Sequence, residues 1–443
     1  MNRRTLLLSG AALALAGCLG SEDGTGTGGS GPIDPGAEPT TDLDVSEEVL
    51  ERLVEGNSRF AFDLYDYLRE EEEGNLLASP YSVSVALAMT YAGARGETES
   101  RIAEAMRFGL DEELHPAFAA LYHELDARGE GGSDGGEAEN GEEAGDPFEL
   151  AAANAAWGLE SYPYREEYLE LVETYYGAGF RTVDFEGDPE GSREEINAWV
   201  AKRTEDRIDD LLPEGSIDEL TRLVLTNALF FRAGWAEPFD EERTEDAPFT
   251  ALDGTVEEVP TMRRDGGFPY AEIDGHQAIE LPYSGEEVGM VVVLPAEGEF
   301  ERLEADLDAG RFATLGDALE EREGSIALPR FEFESGFALE GALSALGIEI
   351  AFDERKANFD GIAPLEELEG NLYVDDVYHD TFIAVDETGT EAAAATGVVI
   401  DVESTPADPF EMVVDRPFLF AIRDRPTGSV LFLGRVVDAA GTQ

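Results

Sequence analysis

Between Val385 and Ser404 the chain reads VDETGTEAAAATGVVIDVES. Taken alternately from Thr390, the residues are Thr390, Ala392, Ala394, Thr396, Val398, Ile400 and Val402; none is charged, and the first four are small. The interleaved set, Glu391, Ala393, Ala395, Gly397, Val399, Asp401 and Glu403, holds every acid after Thr390. Successive side chains of a strand point to opposite faces. The stretch is therefore able to enter a sheet with one wholly uncharged face inward, and its small leading residues are able to slip between existing strands. An Ala-rich helix is the competing reading. The alanine run is too short to hold a helix alone, and the glycine and β-branched residues that follow oppose it. A surface loop that can become a strand fits both halves of the pattern.

Such a loop needs a large body to receive it. The chain has 443 residues, 42% of them hydrophobic, enough for one large or two ordinary domains. It carries 30 basic against 98 acidic residues, a formal charge of −68. Only Lys202 and Lys356 are lysines. In dilute buffer this self-repulsion strains a compact state. At molar salt the screening length falls to about 3 Å, so the charge reads as halophilic adaptation. A polyanion that recruits basic partners is the alternative, opposed by the even spread of acids along the chain. The same balance argues against nucleic-acid binding.

The single cysteine, Cys18, excludes an intramolecular disulfide. It closes the start MNRRTLLLSGAALALAGCLG, in which Arg3 and Arg4 form a twin-arginine pair and Leu15-Ala16-Gly17-Cys18 looks like a lipobox. This resembles a twin-arginine lipoprotein signal over residues 1–17, with an apolar run too short for a membrane span. The expectation is a mature chain lipidated at Cys18 and held at the cell surface. Residues 18–45, rich in Gly, Ser, Thr, Pro and acids, then serve as a flexible linker. An ordinary cleaved signal with a chance cysteine is the alternative.

Further on, Ser46 is placed to cap a helix whose apolar face includes Leu50, Leu53, Phe60, Leu64 and Leu68. Asn75–Met106 reads as a short strand, a Ser-Pro helix start with a buried Ala-rich helix, a glycine turn and a second helix. Residues 129–146, GEGGSDGGEAENGEEAGD, form an acidic Gly-rich insertion expected to be disordered. Beyond it, helical Arg193–Leu212 alternates with β-rich Thr221–Phe231, Val288–Pro295 and Ser325–Phe333. Glycine-containing turns are expected at Leu252-Asp253-Gly254 and at Arg425-Pro426-Thr427-Gly428.

Catalytic signatures are absent. No G-x-S-x-G follows a strand-like run as an elbow would, the one match, GGSDG, lying within the acidic Gly-rich insertion, and there is no H-E-x-x-H. His115 and His123 read as surface histidines, and Gly24, Gly26, Gly28 and Gly29 as linker rather than a phosphate loop. No metal, no cofactor and no enzymatic activity are expected. A Ser/His/Asp hydrolase would require a triad assembled in space, and no motif points to one.

Five long segments together resemble one family. They are NLLASPYSVSVALAMTYAGARGETESRIAEAM, INAWVAKRTEDRIDDLLPEGSID, LVLTNALFFRAGWAEPFD, LYVDDVYHDTFIAVDETGTEAAAAT and DRPFLFAIRDRPTGSVLFLGRV. Each is similar to a serpin segment, in serpin order, over a domain spanning residues 46–440. The resemblance implies an α+β fold of about nine helices and three β-sheets with an exposed reactive-centre loop, here residues 387–410. It implies a monomeric inhibitor whose loop, once cut, inserts as a strand and covalently traps a serine protease, or alternatively a cysteine protease. A non-inhibitory serpin acting as chaperone or carrier is the alternative. The acidic insertion lies where some serpins carry a basic heparin-binding helix, so no heparin site is expected.

Residue by residue, the resemblance places the hinge at Glu387, Gly389, Thr390, Glu391, Ala392, Ala393, Ala394, Ala395 and Thr396. It places the shutter, where buried polar groups must re-pair as strands part, at Ser79, Ser82, Asn227 and His379, and the breach at Trp235. Family spacing puts the reactive bond sixteen residues beyond Glu387, at Glu403–Ser404. That implies a glutamate-preferring protease; Val402 or Asp401 would suit enzymes of other preference.

Overall fold

The structure, a computed structural model, describes residues 38–131, 149–177, 179–367, 371–390 and 409–442. Cys18, Glu391, Ala392, Ala393, Ala394, Ala395, Thr396, Glu403 and Ser404, singled out above, lie outside these residues.

Local chemistry sets the first elements. Helix α1 (Glu47–Glu71) starts where the Ser46 hydroxyl accepts the Val49 N–H at 3.3 Å, with Glu47 and Glu48 in the first turn favouring the helix dipole. After the short strand β1 (Leu76–Ala78), Ser79 caps α2 (Pro80–Gly93), and Pro80 occupies a first-turn position that lacks an N–H partner in any helix. Next come α3 (Gly96–Ala105) and α4 (Leu114–Gly131). The first residues of the acidic insertion thus complete α4.

The chain continues through β2 (Glu149–Leu159), α5 (Glu166–Tyr176), β3 (Phe180–Val183), α6 (Pro189–Arg203) and β4 (Leu223–Gly234). Then come β5 (Glu245–Thr250), β6 (Val256–Ile273), β7 (His276–Pro282), β8 (Val288–Leu294), α7 (Phe300–Asp306), α8 (Ala309–Asp317), β9 (Glu320–Pro329) and β10 (Phe331–Ala338). The rest is α9 (Glu340–Leu343), β11 (Val377–Val385), β12 (Gly389–Thr390), β13 (Phe410–Val413), β14 (Phe418–Asp424) and β15 (Val430–Val436). Among the described residues this makes an α+β fold with nine α-helices.

Two hydrogen-bonded sheets organise it. One has six strands in the order β10-β11-β12-β4-β2-β3. The other has nine, β1-β15-β14-β8-β7-β6-β9-β13, with β5 also paired to β6. The eighteen-residue β6 pairs with β5 and β9 along its first part and with β7 at its end, and so joins what would otherwise count as two sheets.

The six-stranded sheet is buried on both faces at its centre. Nearly every residue of β4 is buried, as expected for a strand covered above and below. Strand β11 alternates, with Val377, His379, Thr381, Ile383 and Val385 buried. One face rests on the main core. On the other, Trp157, Val183, Phe185, Ile196, Val200, Ile208, Leu211, Leu212 and Ile217 form a second cluster beneath α6 and the segment that leaves it.

Three expectations need correction. The helix expected over Arg193–Leu212 stops at Arg203, because the Thr204 hydroxyl turns back to accept the Ile208 N–H and Glu205 and Asp206 take left-handed backbone angles. His115 is not a surface histidine: it is half-buried against Tyr91, Tyr175 and Tyr176, with Nδ1 2.7 Å from the Tyr176 hydroxyl, and burial lowers its pKa to about 4. His123 is half-buried too, its Nε2 donating to the carbonyls of Pro39 and Thr40. This contact and a 2.7 Å bond from Thr40 N–H to the Thr174 carbonyl dock the end of the linker onto α4 and α5.

No helix among the described residues is long and apolar enough to cross a membrane.

Candidate functional site

The six-stranded sheet contains a seam. Strands β11 and β4 run parallel and pair directly from Val377–Leu225 to Phe382–Phe230. Above that point β12 stands between them, with Thr390 opposite Val385 on one side and opposite Ala233 on the other, and Gly389 opposite Gly234. The seam is closed along its length and already parted at its head.

A tight turn delivers β12 into that position. The Asp386 carboxylate accepts the N–H of Thr388 at 2.8 Å, its hydroxyl at 2.7 Å and the N–H of Gly389 at 3.2 Å. Trp235 clasps the turn from outside: its indole N–H donates to the Asp386 carbonyl and its backbone N–H to the Thr388 carbonyl, both at 2.9 Å. The Trp235 ring stacks on Tyr283 at 4.5 Å and 9°. The Tyr283 hydroxyl shares a 2.7 Å hydrogen bond with the Thr390 hydroxyl, and both residues are fully buried. Burial raises the Tyr283 phenol well above its usual range, so it stays neutral here.

Gly389 and Glu387 fix the turn more tightly. A Cβ at position 389 would lie 2.2 Å from the Ala233 carbonyl oxygen and 2.6 Å from Gly234 Cα. These are main-chain atoms of β4, so only glycine fits. Glu387 is buried and takes Nε and Nη2 of Arg330 at 2.9 and 2.5 Å, together with the Thr244 hydroxyl.

Lower in the seam, Ser79, Ser82, Asn227 and His379 meet in one buried network. The Ser79 N–H donates to His379 Nε2 at 3.0 Å, so that nitrogen carries a lone pair. The proton therefore sits on Nδ1, which donates to the Asn227 carbonyl at 3.1 Å, across the pair of strands that form the seam. Asn227 Nδ2 donates to the Ser82 hydroxyl at 2.7 Å and to Asn154 Oδ1 at 2.9 Å, and the Ser82 hydroxyl donates to the same Asn154 oxygen at 2.7 Å. Asn227 Oδ1 is buried with no partner among the described residues. Burial lowers the His379 pKa to about 4, only partly opposed by the Asn227 carbonyl; the ring is neutral in ordinary buffer.

Sequence reasoning missed Asn154, Tyr283, Arg330 and Thr244. Asn154 was the most accessible of these, since it is the one polar residue inside the run LAAANAAWG. Tyr283 and Thr244 carry no local signal, because each becomes relevant only when a distant strand is laid beside it.

This arrangement holds a strand start in a seam. Among the described residues no group of His, Cys, Asp and Glu side chains is placed to hold a metal.

Comparison with known proteins agrees with the fold and its arrangement. The family model described as Serpin (serine protease inhibitor) matches residues 55–439. A serpin-like protein of Thermococcus kodakarensis is 37% identical over 99% of both chains. The leukocyte elastase inhibitor of the horse is 34% identical over 87% of this chain and 99% of its own. In the solved structures, uncleaved ovalbumin superimposes with a TM-score of 0.76 at 28% identity, covering 87% of this chain and 99% of ovalbumin. Serpins are a family of protease inhibitors rather than enzymes, and this chain belongs to the serpin family.

Proposed function

We propose that the chain inhibits a serine-type endopeptidase as a suicide substrate. The protease would attack the segment between Thr390 and Phe410. Its serine oxygen would bond to the carbonyl carbon before the cut, and the peptide nitrogen would leave as a new N-terminus. The freed segment would then insert between β11 and β4 before water cleaves the ester, carrying the tethered protease with it.

The observation that supports this reading most directly is β12 at the head of the seam. Continued downward, its register opposite β11 would set Ala392, Ala394 and Thr396 against Ile383, Thr381 and His379, all on the buried face of β11. The charged alternates would then fall on the other face. Thirteen residues from Thr390 to Val402 span about 43 Å when extended at ~3.3 Å per residue. At ~1 kcal/mol net per new ladder bond, insertion would release on the order of 10 kcal/mol, comparable with the ~5–15 kcal/mol stability of a typical domain. The uncut form would be kinetically trapped.

On this reading the cut falls at Glu403–Ser404 and favours a glutamate-preferring protease. The chain acts outside the cell as a monomer, anchored through a lipidated Cys18 in a salty medium. Mixing it with a panel of serine proteases, glutamate-preferring ones included, should give an SDS-resistant complex, with mass spectrometry locating the cut. Cleavage by every protease tested with no trapped complex would count against inhibition. Substituting Cys18→Ser should release the protein from the membrane fraction; unchanged retention would count against the anchor.

A further inference from the structure

Asp380 lies in the middle of β11, on the face opposite His379. It pairs with Gly336 of β10 on one side and Ala228 of β4 on the other. The glycine leaves room for it, because a Cβ at position 336 would sit 2.6 Å from Asp380 Oδ1. Among the described residues the Asp380 carboxylate has no hydrogen-bond or ion-pair partner.

The segment leaving α6 crosses β11 at this level. Arg207 stands over the Phe382 ring at 5.6 Å, Tyr378 packs with the cluster that contains Ile208, Leu211 and Leu212, and Asp210 acts on Asp380 between them. Asp210 is held to α6 by Arg193 Nη1 at 3.1 Å and by Asn197 Nδ2 at 2.9 Å. The charges around Asp380 are therefore Glu334 on β10, itself acted on by Asp209, then Asp210 and Arg207 on the crossing segment. Strand β4 contributes only uncharged Ala228 and its neighbours at this level. Burial, then Glu334 and Asp210, raise the Asp380 pKa to about 7.

We propose that Asp380 is a positioning residue for strand insertion, whose half-buried carboxylate opposes the closed seam so that the seam opens faster when that carboxylate is charged. This rests on the insertion reading above. Opening the seam parts β11 from β4 and from the segment that α6 anchors, and exposes the half-buried Asp380 carboxylate to more water. A charged carboxylate without partners gains more from that water than the neutral acid does. Ionisation therefore raises the closed form in free energy relative to the opening barrier.

The test adds a synthetic peptide with the sequence Thr390–Val402 to the uncut full-length chain and follows its annealing into the seam by native gel and tryptophan fluorescence between pH 6 and 8.5. The wild-type rate should rise by roughly three- to thirty-fold across that range. Asp380→Asn should stay flat at the low-pH rate. Asp210→Asn, which removes one repelling charge, should shift the midpoint of the profile to lower pH, and it serves alone where the first variant does not fold. Annealing with a pH profile unchanged by either variant would overturn the role of Asp380. Failure of the wild-type chain to anneal the peptide at any pH would instead strike the insertion reading.

Discussion

Glu387 Oε1 receives both Nε and Nη2 of Arg330, at 2.9 and 2.5 Å. Arg330 stands between β9 and β10, and the Thr244 hydroxyl that also donates to Glu387 stands directly before β5. One buried carboxylate thus ties the turn before β12 to both sheets. Arg330→Ala removes two charge-assisted bonds and leaves Glu387 with the threonine alone. The Arg330 side chain is 40% exposed, so water softens the loss, and the expected fall in stability of the uncut chain is about 1–2 kcal/mol. Urea unfolding checks this; an unchanged midpoint would remove the ion pair from the account of how the turn is held.

Gly389 makes a sharper prediction. Its missing Cβ would meet the Ala233 carbonyl oxygen and Gly234 Cα, both main-chain atoms. Neither can rotate aside as a side-chain tip could. Gly389→Ala should therefore push β12 out of the head of the seam, at a cost of about 1–3 kcal/mol. Limited proteolysis should detect faster cutting between Asp386 and Thr390 in the variant than in the wild type.

The stretches that predicted themselves carried their own local chemistry. Ser46 and the Ser79-Pro80 pair marked two helix starts, and the Asn75–Met106 pattern of strand, helix, turn and helix is present as β1, α2 and α3. The early end of α6 was not legible, because it depends on a hydroxyl bond from Thr204 and on two acids adopting left-handed angles. The same divide runs through the candidate site. Its named residues were visible only through resemblance, and their partners, Asn154, Tyr283, Arg330 and Thr244, lie tens to hundreds of residues away in the chain. Hydrogen bonds between distant strands leave no periodic trace in a sequence.

Asn154 is the hub of the buried network on that seam. Its Oδ1 accepts from both the Ser82 hydroxyl and Asn227 Nδ2. Asn154→Ala would leave two donors competing for what remains, in a place where Asn227 Oδ1 is already unpaired. The expected loss is about 1–3 kcal/mol. Asn154→Asp keeps the acceptor and its shape, and should differ from alanine by showing a strong pH dependence as the carboxylate charges. Thermal unfolding of the uncut chain at several pH values separates the two.

His379 predicts a specific pH window. Its folded pKa of about 4 lies below the ordinary 6.5, so the unfolded chain binds the proton more readily. The stability it contributes is complete above pH 6.5 and is lost as pH falls from 6.5 towards 4, by about 3 kcal/mol in total. Asp380 acts in the opposite sense over nearly the same range: its folded pKa of about 7 exceeds the ordinary 3.8, so its contribution is present at low pH and is lost as pH rises from about 4 towards 7. His115, whose pKa burial also lowers to about 4, adds a second fall in the same window. An Asp380→Asn, His115→Gln background removes both of these other slopes, and there stability should still fall below pH 6.5. Adding His379→Gln should reduce that fall; an undiminished fall would place the proton elsewhere.

Thr390 decides between inhibitor and substrate. Its hydroxyl meets Tyr283 at 2.7 Å in a fully buried site between β11 and β4. An arginine there would need to bury a cation beside a neutral phenol, with no carboxylate among the site's contacts, which is unfavourable by several kcal/mol unless the group stays in water. Thr390→Arg should therefore keep the head of the strand outside the seam. The segment would still be offered to a protease and cut, but insertion would lose its first inward side chain and the ester would have time to hydrolyse. The expected outcome is cleavage with turnover, little SDS-resistant complex and a cleaved form that gains little thermal stability. Thr390→Val, similar in size and uncharged, should keep the complex and lose only the hydroxyl bond to Tyr283. If the arginine variant traps protease as well as the wild type, insertion does not begin at Thr390.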